Sequence, residues 1–251
     1  MTVPYSRNIN PTYENFEAQC PHCELGNIFN RASDLQTLEP IGFRTVNCHA
    51  CGHQFNINND SVNAAHEMLL LACYALIERK QYMQCVLSVA QAYEVFFSHF
   101  LHVQLIYRAF AKDNSHDLRC LSHLKTQIYG RVQRFAFCRM QCLFLKLVVD
   151  KVAPESLAEA EAAIDALPKT KVVPRESIEA VPDDHLKALL LRLQDSDANK
   201  LRNKVVHKDA YRPKLEEAKR VHDEAREILN GLTASLGLGY DAYWYISNSR
   251  R

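Results

Sequence analysis

Hydrophobic residues recur at two different spacings along this chain, and the spacing changes near residue 59. Before that point, short alternating runs such as 53–57 are separated by prolines, glycines and paired cysteines, a pattern typical of short strands joined by turns. Beyond it, no glycine occurs before Gly130 and no proline before Pro154, and apolar residues recur every three or four positions, as in amphipathic helices. The pattern predicts a mainly α protein, a helical bundle preceded by a small β unit.

The predicted helices begin and end at residues that suit helix termini. Asp183 is a good N-cap for a helix that runs to about His207. Pro213 suits the first turn of the last helix, which ends at Gly231 or at the Gly237/Gly239 pair. The sequence shows no internal repeat. Helices are predicted over 62–80, 82–110, 118–149 with an interruption near Gly130, 154–167, 183–207 and 213–231.

The same pattern divides the chain into three parts. Residues 1–58 form the β unit with an N-terminal extension, residues 59–235 form an all-α domain, and residues 236–251 form an aromatic tail. The tail could stack on bases, but packing on its own domain is the interpretation we favour.

Composition narrows the class of protein. The chain has 251 residues, of which 47% are hydrophobic and 24% charged, so it can bury a sizeable core. Its formal net charge of +1 does not by itself indicate a nucleic-acid partner. No stretch is long and apolar enough to span a membrane, and the N-terminus lacks the apolar segment of a secretory signal. We therefore expect a cytoplasmic protein whose nine cysteines are thiols or metal ligands.

Four of these cysteines form two C-x-x-C pairs, Cys20/Cys23 and Cys48/Cys51, with 24 residues between the pairs. Two residues between cysteines let a tight turn aim both thiolates at one point, and two such turns complete a tetrahedral shell for one Zn²⁺ ion. A shell of four protein ligands leaves no open position, so the predicted zinc ribbon is structural. The alternative is four unrelated thiols or a redox pair. The remaining five cysteines are expected as core thiols: Cys73, Cys85, Cys120, Cys138 and Cys142.

A second motif lies at the end of the helix predicted from Asp183. It reads Arg202-Asn203-Lys204-Val205-Val206-His207, an arginine followed by an asparagine and, after four intervening residues, a histidine. Histidine moves protons near neutral pH, and arginine offers a permanent forked cation to a phosphate. Residues five apart on a regular helix point about 140° away from each other, so the two side chains converge only if the helix distorts or two copies meet.

This motif resembles the signature of the HEPN superfamily, all-helical proteins of which many are ribonucleases. Two further features are similar to the family: the helix SVAQAYEVFFSHFL with its embedded acid Glu94, and the proline-started helix that follows the histidine. The resemblance covers roughly residues 61–235. One difference is Asp209, which stands where some family toxins carry a tyrosine that an antitoxin modifies.

The resemblance implies a homodimeric, metal-independent endoribonuclease whose active site forms where two motifs meet. Arg202 would stabilise the phosphate, His207 would move the proton, Asn203 would orient them, and Glu94 would brace Arg202. By family analogy the setting is a toxin or phage-defence effector, with a regulatory or antitoxin protein as a further partner. Two alternatives stay open: a domain that binds RNA or a nucleotide without cutting it, and a protein-interaction module whose motif is an incidental helix end.

Local charge agrees with an RNA partner. The segment 200–214 holds six Lys/Arg and one acid, and the segment 118–149 holds six Lys/Arg and no acid. The alternative is a pair of solvated helix faces balanced by the acidic segment 155–165. Candidate RNA-binding residues are Lys200, Lys204, Lys208, Tyr211 and Arg212.

Overall fold

The computed structural model describes residues 15–30, 33–35, 43–58, 65–113, 118–169, 173–207 and 211–238. A small β part precedes a helical part, as the pattern predicts. The β part contains two antiparallel hairpins, in which β1 pairs with β2 and β3 with β4. The strands are β1 (Asn15–Gln19), β2 (Gly26–Asn30), β3 (Phe43–Asn47) and β4 (Gln54–Asn58).

The helical part holds ten α-helices among the described residues. A π-helical turn, Val103–Tyr107, joins α2 to α3, and a short 3₁₀ turn, Leu167–Lys169, follows α6. The helices are α1 (Ala65–Glu78), α2 (Tyr82–His102), α3 (Arg108–Lys112), α4 (Leu118–Val132), α5 (Phe137–Val149), α6 (Leu157–Ala166), α7 (Arg175–Glu179), α8 (Asp184–Asp195), α9 (Ala198–His207) and α10 (Leu215–Ser235).

Helix α2 is the centre of the bundle and packs against α1, α5, α9 and α10. Its aromatic side chains Phe96, Phe97 and Phe100 are buried and surround Phe144 of α5, with ring centroids 4.7–5.5 Å apart. Edge-to-face and tilted contacts of this kind add to the free energy gained by burying apolar surface. No described helix is long and apolar enough to cross a membrane.

The predicted N-cap at Asp183 is confirmed, because its carboxylate accepts hydrogen bonds from the backbone N–H groups of His185 and Leu186. The prediction of one helix from there to His207 is wrong. The helix ends at Asp195, and α9 begins at Ala198 after a break at Ser196 and Asp197. The Ser196 hydroxyl accepts the N–H of Ala198, so a side chain replaces a helical backbone acceptor at the break.

Of two other predicted helix boundaries, the interruption near Gly130 differs from the structure, and the end of the last helix agrees with the second predicted alternative, the Gly237/Gly239 pair. The interruption expected near Gly130 lies at residues 133–136, between α4 and α5, and Gly130 itself is inside α4. The last helix does not stop at Gly231. Gly231 lies against Leu189 of α8, where even a Cβ atom would come within 2.8 Å of that side chain. The helix ends at Ser235, and Gly237 follows it with φ +59°.

Most of the buried hydrophobic residues that the structure describes belong to two separate clusters, one within residues 20–57 and one within residues 70–238. The second cluster includes Leu238, which lies inside the segment predicted as an aromatic tail. The rest of that tail, from residue 239, lies outside the described residues.

Candidate functional site

Each C-x-x-C pair occupies the turn of one hairpin. Cys20 and Cys23 lie between β1 and β2, and Cys48 and Cys51 lie between β3 and β4. The two turns have matching hydrogen bonds. Cys20 N donates to Leu25 O at 3.0 Å, and Cys48 N donates to His53 O at 2.8 Å. At equivalent places in the two turns, Glu24 N and Gly52 N donate to the carbonyls of Cys20 and Cys48, both at 2.9 Å.

The hairpins are a structural repeat with an offset of 28 residues, because 15–19 matches 43–47 and 26–30 matches 54–58. Glu24 and Gly52 occupy the same place in the repeat and share a positive φ, +60° and +71°. Three of the sixteen paired positions are identical, the two cysteines and the final asparagine, so the sequence alone did not reveal the repeat.

The repeat brings four sulfur atoms together. The candidate ligand atoms of Cys20, Cys23, Cys48 and Cys51 all lie within 4.8 Å of one another. The Sγ atoms of Cys20 and Cys51 are 3.9 Å apart, and those of Cys23 and Cys48 are 3.6 Å apart. All four cysteines are free, and a disulfide would need about 2.05 Å. Four sulfurs at this spacing could hold one metal ion.

The surroundings of the sulfur atoms also change the pKa values of the thiols. The pKa of the Cys48 thiol is lowered to about 6, mainly because the backbone N–H of Cys51 hydrogen-bonds its sulfur, with a further contribution from that of Ala50. At Cys23 the backbone N–H of Leu25 acts in the same direction, but desolvation and the three neighbouring sulfurs raise the pKa to about 12. The cluster cannot carry four thiolates unless a cation balances them.

Asn27 links the two turns and was missed in the sequence. It is only 3% exposed. Its side-chain oxygen accepts the backbone N–H of His49 at 2.8 Å, and its amide donates to Leu25 O at 3.0 Å. The sequence does contain an indication of this role, because alternation in β2 places the polar Asn27 on the same face as the apolar Phe29. On the outside, His22 and His53 stack with ring centroids 4.9 Å apart.

The second candidate site lies on α9. Arg202 is half-buried, whereas Asn203 and His207 are exposed. A guanidinium N–H of Arg202 donates to the side-chain oxygen of Asn203 at 3.0 Å. His207 is the last residue of α9, and α9 is a regular α-helix from Ala198. Arg202 and His207 therefore point about 140° apart within one chain.

Glu94 lies on α2, the helix against which α9 packs. Burial raises the pKa of the Glu94 carboxyl above its usual value, and the cation of Arg202 offsets part of that rise. The structure thus brings the acid and the arginine of the motif close enough to interact electrostatically, across two helices that are separated by about a hundred residues of chain.

Two predicted RNA-binding residues are engaged in a network that joins α9 to the start of α10. The Tyr211 hydroxyl donates to Glu217 at 2.6 Å, and Glu217 also accepts the backbone N–H of Lys214 at 2.9 Å. The ammonium of Lys204 lies 5.8 Å from the centroid of the Tyr211 ring. Because one face of this ring meets Lys204 and the ring packs on the helical core, Tyr211 is a poor stacking platform.

The other predicted cations differ in their surroundings. Lys200 pairs with Asp197 at 3.2 Å, and Arg220 pairs with the same carboxylate at 2.8 Å. Arg212 is exposed, and Lys208 lies outside the described residues. On the second basic segment, Arg131 pairs with Asp165 of α6, the acidic helix. That pair agrees with the interpretation of a balanced, solvated face for 118–149.

Comparison with known proteins adds no relative. A scan against protein-family models, a search of the curated proteins and a search of the solved structures each found no match.

Proposed function

We propose that the chain is a metal-independent endoribonuclease of HEPN type, active as a homodimer. The observation that carries the proposal is the electrostatic interaction between the half-buried Glu94 on α2 and Arg202 on α9, the helix that also carries the exposed Asn203 and His207. A half-buried acid that interacts with a motif arginine is the arrangement expected if the arginine must be held in one position. The proposal rests on the resemblance together with this placement.

The chemistry requires no metal at the reacting atoms. The 2′-OH of RNA attacks the adjacent phosphorus and the 5′-oxygen leaves, so the products carry a 2′,3′-cyclic phosphate and a 5′-OH. His207 moves the proton, Arg202 stabilises the charge on the phosphoryl oxygens, and Asn203 orients the arginine through the hydrogen bond between them. Glu94 holds Arg202 from the neighbouring helix. The cations around this site, Lys200 and Arg212 foremost, contact the RNA backbone.

A second copy of the chain completes the site in this proposal. Apolar side chains are exposed on the helix faces that carry the motif. Val206, 48% exposed, lies four residues after Arg202, and Leu87, 37% exposed, lies seven residues before Glu94. Residues at these spacings share a helix face. Burying them against a second copy across a two-fold axis brings the His207 of one chain towards the Arg202 of the other.

The metal in the β unit is Zn²⁺ in this proposal, one per chain. A tetrahedron with Zn–S bonds of about 2.3 Å has edges of about 3.8 Å. The two sulfur distances of 3.6 and 3.9 Å lie on either side of that value. The ion would cross-link the two hairpins and, with four protein ligands, take no part in the reaction. We further propose a toxin or phage-defence setting in the cytoplasm, with a regulatory or antitoxin protein as a partner.

Incubation with RNA tests the nuclease. Zinc-loaded wild type, His207→Ala and Arg202→Ala are incubated with a mixed RNA substrate in EDTA, and the ends of the fragments are mapped. We expect both variants to cut about 10²–10⁴-fold more slowly than wild type. His185→Ala, which changes another exposed histidine on α8, is the matched control and should cut at the wild-type rate. Equal RNA survival with wild type and His207→Ala contradicts the proposal, and tight RNA binding in that case favours a non-catalytic module.

A further inference from the structure

The four cysteines of the candidate metal site, Cys20, Cys23, Cys48 and Cys51, are not equally exposed to solvent. Cys20 is fully buried and Cys48 is 3% exposed, whereas Cys23 is intermediate and Cys51 is exposed. The two buried cysteines are the first members of their pairs. They belong to the hydrophobic cluster of the unit, together with Phe29, Phe55 and others. One edge of the cluster is therefore inside the unit and the other faces solvent, with Cys51 the most accessible ligand.

The Cys51 sulfur lies close to a sulfur of the other hairpin. Cys51 Sγ lies 3.9 Å from Cys20 Sγ, and Cys23 Sγ lies 3.6 Å from Cys48 Sγ. The first member of each pair thus faces the second member of the other pair. A movement of about 2 Å brings Cys20 and Cys51 to the length of a disulfide bond.

We propose that Cys51 is a site of oxidation by hydroperoxides, and that the product is a Cys20–Cys51 disulfide with release of the metal. A metal-bound cysteine is a thiolate, and accessible thiolates are the cysteines that peroxides oxidise first. The proposal rests on the zinc assignment, but it does not depend on the nuclease activity.

The reaction has two balanced steps. The thiolate of Cys51 attacks one oxygen of the peroxide, the O–O bond breaks, and the products are the Cys51 sulfenic acid and hydroxide (for H₂O₂). The thiolate of Cys20 then attacks the Cys51 sulfur, an S–S bond forms and a second hydroxide leaves. Two thiolates lose two electrons and the peroxide gains them. The two remaining thiolates, Cys23 and Cys48, cannot complete a zinc shell, so the ion dissociates.

The identity of the disulfide decides what happens to the unit. Cys20 and Cys51 lie on different hairpins, so the new bond replaces the metal as the cross-link between them. A disulfide within one C-x-x-C pair would leave the hairpins unconnected. The cross-hairpin bond keeps the unit together and lets reduction restore the four thiolates, which makes the oxidation reversible.

The test uses the full-length, zinc-loaded protein and hydrogen peroxide. Zinc content is first measured by elemental analysis, and an absence of bound zinc refutes the zinc assignment separately. Stoichiometric H₂O₂ is then added, zinc release is followed with a chromogenic chelator, and disulfides are mapped by peptide mass spectrometry. We expect one zinc released per disulfide and Cys20–Cys51 as the main pair. A main product of Cys20–Cys23 or Cys48–Cys51, or no release, overturns the proposal.

Two matched variants separate accessibility from simple loss of a ligand. Histidine can replace cysteine as a zinc ligand, so Cys51→His and Cys48→His both keep a four-ligand shell. We expect Cys51→His to release zinc at least about tenfold more slowly than wild type, because the exposed thiolate is gone. Cys48→His removes a buried sulfur and should release zinc at a rate close to wild type. Equal slowing in the two variants also overturns the proposal.

Another exposed thiol supplies an internal comparison. Cys138, which the sequence pattern placed in the core, is exposed on α5, outside the four-cysteine cluster. Peptide mapping of the same samples should show the disulfide before Cys138 is oxidised. Prior oxidation of Cys138 shows that exposure alone governs the reaction, and it rules out a special role for Cys51.

Discussion

The β unit and the helical bundle bury very different numbers of apolar side chains. Among the described residues, the buried cluster of the β unit has six members, and two of them are the cysteines Cys20 and Cys48. The bundle surrounds α2 with helices on several sides and buries four aromatic rings of that helix alone. Six buried side chains supply too little free energy to order two hairpins, so in our proposal the smaller unit depends on metal ligation. The larger one depends on packing.

Metal removal should have the largest effect, and only on the β unit. Zinc ligation in small domains contributes about 10–16 kcal/mol of apparent folding free energy. Cys20→Ser should therefore lose the metal and unfold residues 15–58, while the helical signal in circular dichroism stays at the wild-type level. Limited proteolysis locates the unfolded region. Loss of the helical signal, or of a dimer that wild type forms, shows that the two units are not independent.

A cavity in the bundle should have the reverse effect. Phe97→Ala removes a buried ring that contacts both Phe137 and Phe144, and it should lower the free energy of unfolding by about 3–5 kcal/mol. Zinc content should not change, since the ring is not part of the smaller cluster. Urea denaturation and elemental analysis measure the two quantities. Tyr129→Ala, at a side chain that is 63% exposed, is the control and should stay within about 0.5 kcal/mol of wild type.

Acid should weaken the bundle through the buried His66 and the half-buried His102. Burial lowers the pKa of His66 to about 3 and that of His102 to about 4, from the ordinary 6.5; nearby His99 adds to the shift at His66, and Lys125 adds to it at His102. As the pH falls, each of these histidines takes up a proton at a higher pH in the unfolded chain than in the folded protein. The free energy of unfolding therefore decreases as the pH falls from 6.5 towards 3. By pH 5 each histidine should cost about 2 kcal/mol.

Urea denaturation of wild type and His66→Leu at pH 7 and pH 5 checks this expectation. The difference between the two pH values should be about 2 kcal/mol smaller in the variant, because a leucine side chain at this position cannot take up a proton. His185→Leu, at an exposed position of α8, serves as the control. A pH dependence in His66→Leu as steep as in wild type contradicts the assignment of the buried neutral histidine.

The smallest expected effect is a change in stability at the two equivalent turn positions of the β unit, Gly52 and Glu24. Gly52→Ala places a Cβ at φ +71° with nothing within 4 Å, so only backbone strain acts, and it should destabilise by about 1 kcal/mol. Glu24→Gly removes the corresponding strain at φ +60° and should stabilise by about 0.5 kcal/mol. Both changes in stability are measured in the zinc-loaded, full-length protein. Hydrogen exchange of the β unit is followed as the temperature is raised. If Gly52→Ala and Glu24→Gly change the stability in the same direction, the two turns are not equivalent.

Features that depend on a few neighbouring residues can be predicted from the sequence. The four cysteines were assigned from two local spacings, and the start of α8 from Asp183, because a tight turn and an N-cap are each complete within a few residues. Local patterns also predict too long a helix, which continues to His207 without the break after Asp195. The competing hydrogen bond of Ser196 at the break could not be weighed against helix propensity without its surroundings.

Other relationships between residues far apart in the chain were not apparent from the sequence. The repeat of the two hairpins has little residue identity, and Asn27 became informative only when its oxygen was found on the second turn. The burial that raises the pKa of Glu94 comes from the packing of α9 on α2. Each of these depends on which elements pack together, and many different sequences can satisfy the same packing.

By itself, then, the sequence determined the division into a small cysteine-paired unit and a helical bundle, the four cysteines of the cluster, and the Arg202–His207 motif. These follow from spacing along the chain. Only the tertiary structure decided which cysteine faces solvent, which sulfur lies opposite it, and how deeply Glu94 and Arg202 are buried. Those depend on desolvation and on distances through space, and both are set by residues far away in the chain.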